Sequence, residues 1–432
     1  MEARTRLRLS VMMALVYAVQ GAFWPLLAIH LKDLGIAGRE RGWIFATLAI
    51  GSFLMPLGAG QLVDRFLAGE RLLGVIFAVA AGFLAVIAAG LISGAGGLFG
   101  LFLVFWLIVA PAFALANAIA LRHLPRPQEQ FAGVRLWGTV GWMAVGWAVS
   151  LLMVWSGSAN LGRGAFEAFW IASALALVVA CYSFTLPHTP PLAVAGHERR
   201  GGLRGSLALL ERPGMKSFLF TAFGVHLTTP FVYQVIPTYL EGKGMSRAWI
   251  TSAMTLGQWP EVIMLAVLPW LFLRVGSKGT LLIGIMAWVV RYGTLAAEPP
   301  LWLAVAGIPL HGVGVACFTV AGQIYMDSQS PREGRASAQA LYMVVTSGVG
   351  SFLGSLLAGD LMGRFGGDYG LVFLVPCVID AALLIYFCAG FRGNAMIKDC
   401  SSACNGARPF RKDGVRGRPA RVGNLVTESA DG

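Results

Sequence analysis

A glutamine and a glutamate stand three residues apart in the apolar stretch TLGQWPEVIML at 255–265, and the nearest charged side chains to Glu261 are Arg247 and Arg274. An ionised carboxylate inside a membrane costs several kcal/mol, so a chain that keeps one there has a polar cavity, a proton to carry, or a fixed arginine to pair it with. Gln258 lies one helical turn before Glu261, which puts the two on one face. Pro260 beside them cannot donate to the Leu256 carbonyl, so a continuous helix would either turn that oxygen toward a cavity or kink. The pair is therefore a candidate for gripping a solute, and Glu261 for coupling a proton to its passage.

A second cluster follows the same spacing logic. Arg135, Thr139 and Trp142 fall at i, i+4 and i+7, so one helical face offers a cation, a hydroxyl and an indole. A planar, hydroxyl-bearing solute suits such a face, the ring stacking on the indole and the polar atoms pairing with Thr and Gln. Arg135 as a snorkelling anchor and Trp142 as a lipid-facing ring are the structural alternatives. His311, which follows Pro309, is titratable near neutral pH and is a second candidate for proton coupling. Tyr233, Gln234, Gln20 and Asn117 are further polar or aromatic candidates for solute contact, with helix–helix hydrogen bonding as the alternative for Gln20 and Asn117. Arg291 and Asp380 are read as structural. No metal-ligand spacing and no nucleophile–base motif is visible, which sets an enzyme aside and leaves no cofactor other than the proton as coupling ion.

The elements that must hold these residues are membrane helices. Of the 432 residues 57% are hydrophobic and 12% charged, far from the make-up of a water-soluble domain. Apolar runs of about 20 residues recur along the chain, the length a helix needs to cross about 30 Å of hydrocarbon. Their continuity argues against the alternating pattern of a barrel. Twelve spans are predicted, at 9–31, 43–63, 72–93, 98–121, 135–156, 166–186, 214–240, 247–273, 279–297, 301–323, 336–363 and 369–391. Of the 33 Lys and Arg, 25 fall on the set of loops that includes the N-terminus, which places both termini in the cytoplasm. The net charge of +12 is accounted for by this bias and calls for no nucleic acid. The expected organisation is a first half at 1–186, a Pro-, Gly- and Arg-rich cytoplasmic linker at 187–213, a second half at 214–391 and a basic, disordered tail at 392–432 that faces anionic lipid.

The halves echo one another. GQLVDRFLAGERLL follows the second span and LFLRVGSKGTLL the eighth, while Arg135 and Arg335 open the fifth and eleventh. Two parallel six-helix halves with a solute site between them is a transporter plan. Gly60, Asp64, Arg65 and Arg71 resemble the cytoplasmic loop motif of the major facilitator superfamily, and Asp64, Arg65 and Arg71 are candidate gating charges. In span eleven Ser347, Ser351 and Ser355, with Gly350 and Gly354 beside them, form small-residue stripes suited to close helix packing. A closer resemblance runs through VRLWGTVGW at 134–142, FTLPHTP at 184–190, GQWPEVIMLAVLPWLFLRVG at 257–276, AWVVRYG at 287–293 and RASAQALYMVVTSGVGSFLG at 335–354. Together these resemble the nucleoside:proton symporter family. The resemblance implies an all-α membrane protein of the major facilitator fold, twelve helices in two six-helix halves. It also implies proton-coupled nucleoside uptake by alternating access in a bacterial inner membrane, by a monomer, with binding roles for Arg135, Thr139, Gln258 and Glu261. Some members of that family carry an acid on helix ten where this chain reads VGVACF, with Ala316 and Cys317, and its helix seven does not align without a gap. Another small polar solute, a sugar, oligosaccharide or aromatic acid, is the alternative substrate.

Overall fold

The computed structural model describes residues 2–54, 68–157, 165–190, 209–330 and 335–391, which form helices and short connections without a strand. These residues lie in one compact unit ending at Met396. The first helix, α1 (Glu2–Phe23), passes through a 3₁₀ turn at Trp24–Leu26 into α2 (Leu27–Asp33). Next come α3 (Gly38–Leu54), α4 (Gly69–Ala88), α5 (Ala95–His123), α6 (Pro127–Ser156) and α7 (Phe166–Ser183). In the second half α8 (Met215–Thr228), α9 (Phe231–Gln234) and α10 (Ile236–Gly242) make one bent crossing. They are followed by α11 (Ile250–Thr255) and the long α12 (Gln258–Ala296).

Nine helical stretches among the described residues are long and apolar enough to span a membrane, and the bent α8–α10 segment makes ten. One of the nine, Arg247–Ala296, has 50 residues. At 1.5 Å per residue a straight helix of that length would reach about 75 Å, more than twice the hydrocarbon thickness. It is broken instead at Gly276, whose φ of 69° and ψ of 178° are non-helical, at the join between the expected eighth and ninth spans. Glycine is required at that corner because a Cβ disfavours positive φ. The helix α3 covers the described part of the expected second span. The remaining crossings are α13 (Leu301–Ala306), α14 (Leu310–Gly314), a π segment at Val315–Val320 and α15 (Ala321–Ser328); α16 (Arg335–Met343), a π segment at Val344–Gly350 and α17 (Ser351–Phe365); and α18 (Tyr369–Gly390), capped by the Asp368 carboxylate on the Leu371 amide at 3.0 Å.

Packing repeats between the halves. The pairs α1–α6, α4–α7 and α3–α5 build the first; in the second α12 packs on α18 and α14, and α8 on α18 and the π segment of span eleven. The Gly350 and Gly354 stripe lies against Phe223, His226 and Leu227 of α8. Contacts α3–α17 and α6–α11 join the halves. In the first half Phe23, Phe102, Phe105, Trp106 and Phe169 form a buried aromatic cluster. Trp24 packs edge-on against Trp106, with ring centres 5.4 Å apart, where the first half meets the second.

Candidate functional site

The stretch at 255–265 straddles a break and not the middle of a regular helix. α11 stops at Thr255, Leu256 and Gly257 form a turn, and α12 restarts at Gln258. Pro260 thus sits in the first turn of α12, where its missing donor is no loss, which replaces the expectation of a proline interrupting a continuous helix. Gln258 is buried, and with its amide assigned so that the nitrogen faces the carbonyls, it donates to Met254 at 3.1 Å and to Thr255 at 2.9 Å. Its side chain therefore bridges the break, a role beside any contact with solute. Glycine lets the neighbouring helix come close: a Cβ on Gly312 would collide with the Glu261 amide nitrogen and the Gly257 carbonyl, and one on Gly257 would stand 3.1 Å from the His311 ring. His311 is buried against this corner, with Nδ1 unpartnered among the described residues.

Side chains from both halves converge here. Tyr233 lies within hydrogen-bonding reach of the Gln258 amide and in the field of Glu261 and Arg291. Its ring centre is 6.2 Å from Trp142 and 6.4 Å from Trp24, both of the first half, and 6.3 Å from His311. Trp288 extends the cluster, 5.4 Å from His311. Arg135 places its guanidinium 4.1 Å over the Tyr17 ring and is the charge that acts on Glu261 from the opposite half, yet the two form no ion pair. Arg135, Thr139, Trp142, Tyr233 and Glu261 are all partly accessible, while Gln258 is 7% exposed. Trp142 thus faces the other half and not lipid alone.

The other candidates stand at different distances from this cluster. Gln20 is half-buried; Asn117 and Gln234 each bury a side-chain polar atom, Oδ1 and Nε2, with no partner among the described residues. Asp64 and Arg65 lie outside the described residues, and Arg71 is exposed near the start of α4. Arg291 is 1% exposed, lies 5.8 Å from the Trp288 ring centre and leaves both terminal guanidinium nitrogens unpartnered among the described residues. Asp380 is buried beside Thr228 at 3.1 Å. No cluster of three or more metal-ligating groups occurs among the described residues.

Sequence reasoning missed a set of charges that closes one face. Arg247 holds Asp33 in a two-pronged pair at 2.6 and 2.8 Å and also contacts Glu241, which accepts from Lys32 at 3.0 Å. Arg39 bonds Asp360 at 2.7 and 3.2 Å. Beside that pair Gly38 and Gly42 lie against Gly359 with no room for side chains. The Arg247–Asp33, Lys32–Glu241 and Arg39–Asp360 pairs each join the first half to the second, and all lie on the face opposite the N-terminus. The clue available was the pairing of signs at the ends of the crossings, Lys32-Asp33 and Arg39 against Glu241, Arg247 and Asp360; the orientation count uses the basic residues alone and so does not see it.

A profile of the nucleoside H+ symporter family matches residues 3–396. The chain belongs to that family. Like the other nucleoside:proton symporters it is an integral membrane protein, and its function is proton-coupled nucleoside transport. YegT of Escherichia coli strain K12, named provisionally as a nucleoside transporter, is 32% identical over 365 residues, 83% of this chain and 85% of its own. Xanthosine permease of the same organism is 26% identical over 414 residues, 90% and 96% of the two chains. The crystal structure of the nucleoside transporter NupG superposes with a TM-score of 0.79 at 22% identity, covering 90% of this chain and 100% of that one. A bacterial homologue of the lysosomal transporter Spinster, in an inward-facing state, gives 0.67 at 14% identity, covering 90% of this chain and 95% of its own. At such identities the structures speak for the fold alone, the major facilitator fold.

Proposed function

We propose that the nucleoside binds against Trp142 and Tyr233, and that Glu261 carries the coupled proton. The observation that carries this reading is the meeting of an indole from one half and a phenol from the other, 6.2 Å apart, with Gln258, Glu261 and Arg135 around them. The two rings meet edge-on, at 69°, so a nucleobase that stacks on one of them meets the edge of the other and touches both halves at once. Ribose hydroxyls and base edges then pair with Thr139, Gln258 and Arg135, and Asn117, Gln234, Gln20 and His311 add polar atoms that a solute can satisfy. Glu261 without an ion-pair partner changes its interaction with Arg135 each time it gains or loses a proton. That change ties proton occupancy to the fit between the halves.

The halves at 1–186 and 214–391, joined by the linker at 187–213 and followed by the tail at 392–432, are the bodies that rock about this site. With both termini cytoplasmic, the ion-pair clamp lies on the periplasmic face and the conformation is closed to the outside. The working unit is a monomer in the bacterial inner membrane, and its chemistry is transport and not catalysis. In proteoliposomes an imposed proton gradient drives uridine or adenosine accumulation by the wild type. Glu261→Gln abolishes accumulation against a gradient while leaving expression normal, and accumulation at the wild-type level by this variant sinks the coupling role. If neither nucleoside is transported or protects against thermal unfolding, the choice of substrate fails.

A further inference from the structure

On the face that bears the N-terminus, the first turns of α1, the α5–α6 connection and one side of α6 enclose a cavity of about 540 Å³. Its lining includes Arg6, Leu7, His123, Arg126 and Trp137, with Glu2 as the acid. This is a different side of α6 from the transport site. Trp137 shares a stripe with Leu151 and Trp155, which are 48%, 56% and 86% exposed and face outward, whereas Arg135, Thr139 and Trp142 face Tyr17 and the second half.

We propose that this cavity binds the phosphodiester headgroup of an anionic phospholipid from the adjoining leaflet. Arg6 has no acidic partner among the described residues, and Gly133 leaves its guanidinium room against α6, since a Cβ there would stand 3.2 Å from Nη2. Arg126 is shared with Glu129 at 2.9 Å, a pair open to solvent that can reorganise around an incoming phosphate. His123 commits Nε2 to the Thr189 hydroxyl at 2.8 Å, so its other ring nitrogen is left for the cavity. With Glu129 holding Arg126 and Glu2 at the rim, a single uncommitted cation matches the one negative charge of a phosphodiester better than a dianionic free phosphate. The walls also ask for an amphiphile: Leu7, 63% exposed, and Trp137 flank the charged end with apolar surface, the pairing of indole and charge that tryptophan makes at a bilayer interface. A lipid seated there bridges α1 to α6, the helix that carries Arg135.

The test titrates full-length protein in detergent with phosphatidylglycerol, phosphatidylcholine or inorganic phosphate, reading bound lipid by native mass spectrometry and unfolding temperature in the same samples. Phosphatidylglycerol is expected to bind and raise the unfolding temperature more than either of the others. Arg6→Gln should weaken its retention about fivefold, the share of one arginine near a charged surface. Trp137→Ala should weaken it while leaving any response to inorganic phosphate unchanged. The unfolding temperature without lipid reports whether each variant is folded. Phosphatidylglycerol retention unaltered in both variants overturns the site, and protection by inorganic phosphate equal to that by the lipid assigns the cavity to a free anion instead. The readout needs no transport, so it stands or falls separately from the nucleoside reading.

Discussion

Replacing Arg247 by glutamine should loosen the closed face by an amount the geometry allows one to work out. Arg247 makes two charge-assisted hydrogen bonds to Asp33 and a further contact with Glu241, and the three side chains are 20%, 10% and 15% exposed. Surface pairs contribute about 0–1 kcal/mol, whereas truncating one partner of a buried, hydrogen-bonded pair costs about 2–5 kcal/mol. Partial burial puts this pair near the lower end, about 2 kcal/mol, which is roughly a thirtyfold change in the ratio of open to closed. Glutamine cannot hold both Asp33 oxygens as guanidinium does, and Glu241 keeps only Lys32. Amide hydrogen exchange reads that ratio directly where opening is fast. Exchange in α2 and α10 should rise about ten- to thirtyfold, with the Phe23–Trp106 aromatic core unchanged. Asp33→Asn combined with Arg247→Gln should do little more than Arg247→Gln alone, because both remove one interaction. Exchange in α2 and α10 within twofold of wild type, or strictly additive effects, would refute the clamp. Arg126→Gln, which breaks a solvent-exposed pair, is the control expected to leave those helices alone.

Three further outcomes follow from the packing. Trp142→Ala and Tyr233→Ala should each weaken nucleoside binding by about 1–3 kcal/mol, roughly five- to a hundredfold in calorimetry, while Trp142→Phe keeps most of it; unaltered affinity in both alanine variants removes the stacking site. Gly312→Ala drives a Cβ into the backbone of Gly257 and Glu261 and should cost about 1–3 kcal/mol. Gly100→Ala, where nothing stands within 4 Å of the new carbon, should be neutral or stabilising, so equal unfolding temperatures for the two variants contradict the close approach. Outside the membrane, the hydrogen bond from Lys243 at 3.0 Å and one from the Gly370 amide hold the Glu298 carboxyl below the usual carboxylate range. A depressed acid stabilises the fold above its unfolded pKa and loses that effect as pH falls through its folded value. The small gap in unfolding temperature between wild type and Glu298→Gln should therefore be present at neutral pH and vanish in acid; a gap that persists there assigns the effect to something other than charge.

The type of the elements was legible because a span is specified by its apolar length alone, a local property. Gly276 shows the same: the eighth and ninth spans are joined by a corner that needs a positive φ, at the place where the apolar run is broken by Arg274 and Lys278. Part of the candidate site was legible: a carboxylate in an apolar run has few uses, and the shared face of Arg135, Thr139 and Trp142 follows from helix spacing. Two things were not. The break at Leu256–Gly257 arises from how closely α14 approaches through Gly312, a long-range contact that periodicity cannot carry. The clamp pairs Asp33 with Arg247 across 214 positions, and each charge looks by itself like an ordinary loop residue.

The placement of the breaks connects the clamp to the site. Between Lys32-Asp33 and Trp24 the first crossing passes through the 3₁₀ turn at Trp24–Leu26, which holds Pro25. Between Glu241 and Tyr233 the chain breaks at Val235, ahead of Pro237. Between Arg247 and Gln258 it breaks at Leu256–Gly257, ahead of Pro260. Three crossings thus carry a clamp charge at one end and a residue of the Tyr233 cluster just beyond a break. A solute shifts the balance of two states only by binding one better than the other. In the binding mode proposed above, a bound ring draws Trp24, Tyr233 and Gln258 together while the terminal segments α2, α10 and α11 swing about their breaks. In a rigid straight helix the same contact would have to move the whole half. The prolines beside these breaks are therefore better explained as fixing where each crossing bends than as exposing single carbonyls to the solute. In the proposed coupling, Glu261, one turn into α12 from its break, is the group whose charge changes at the pivot itself.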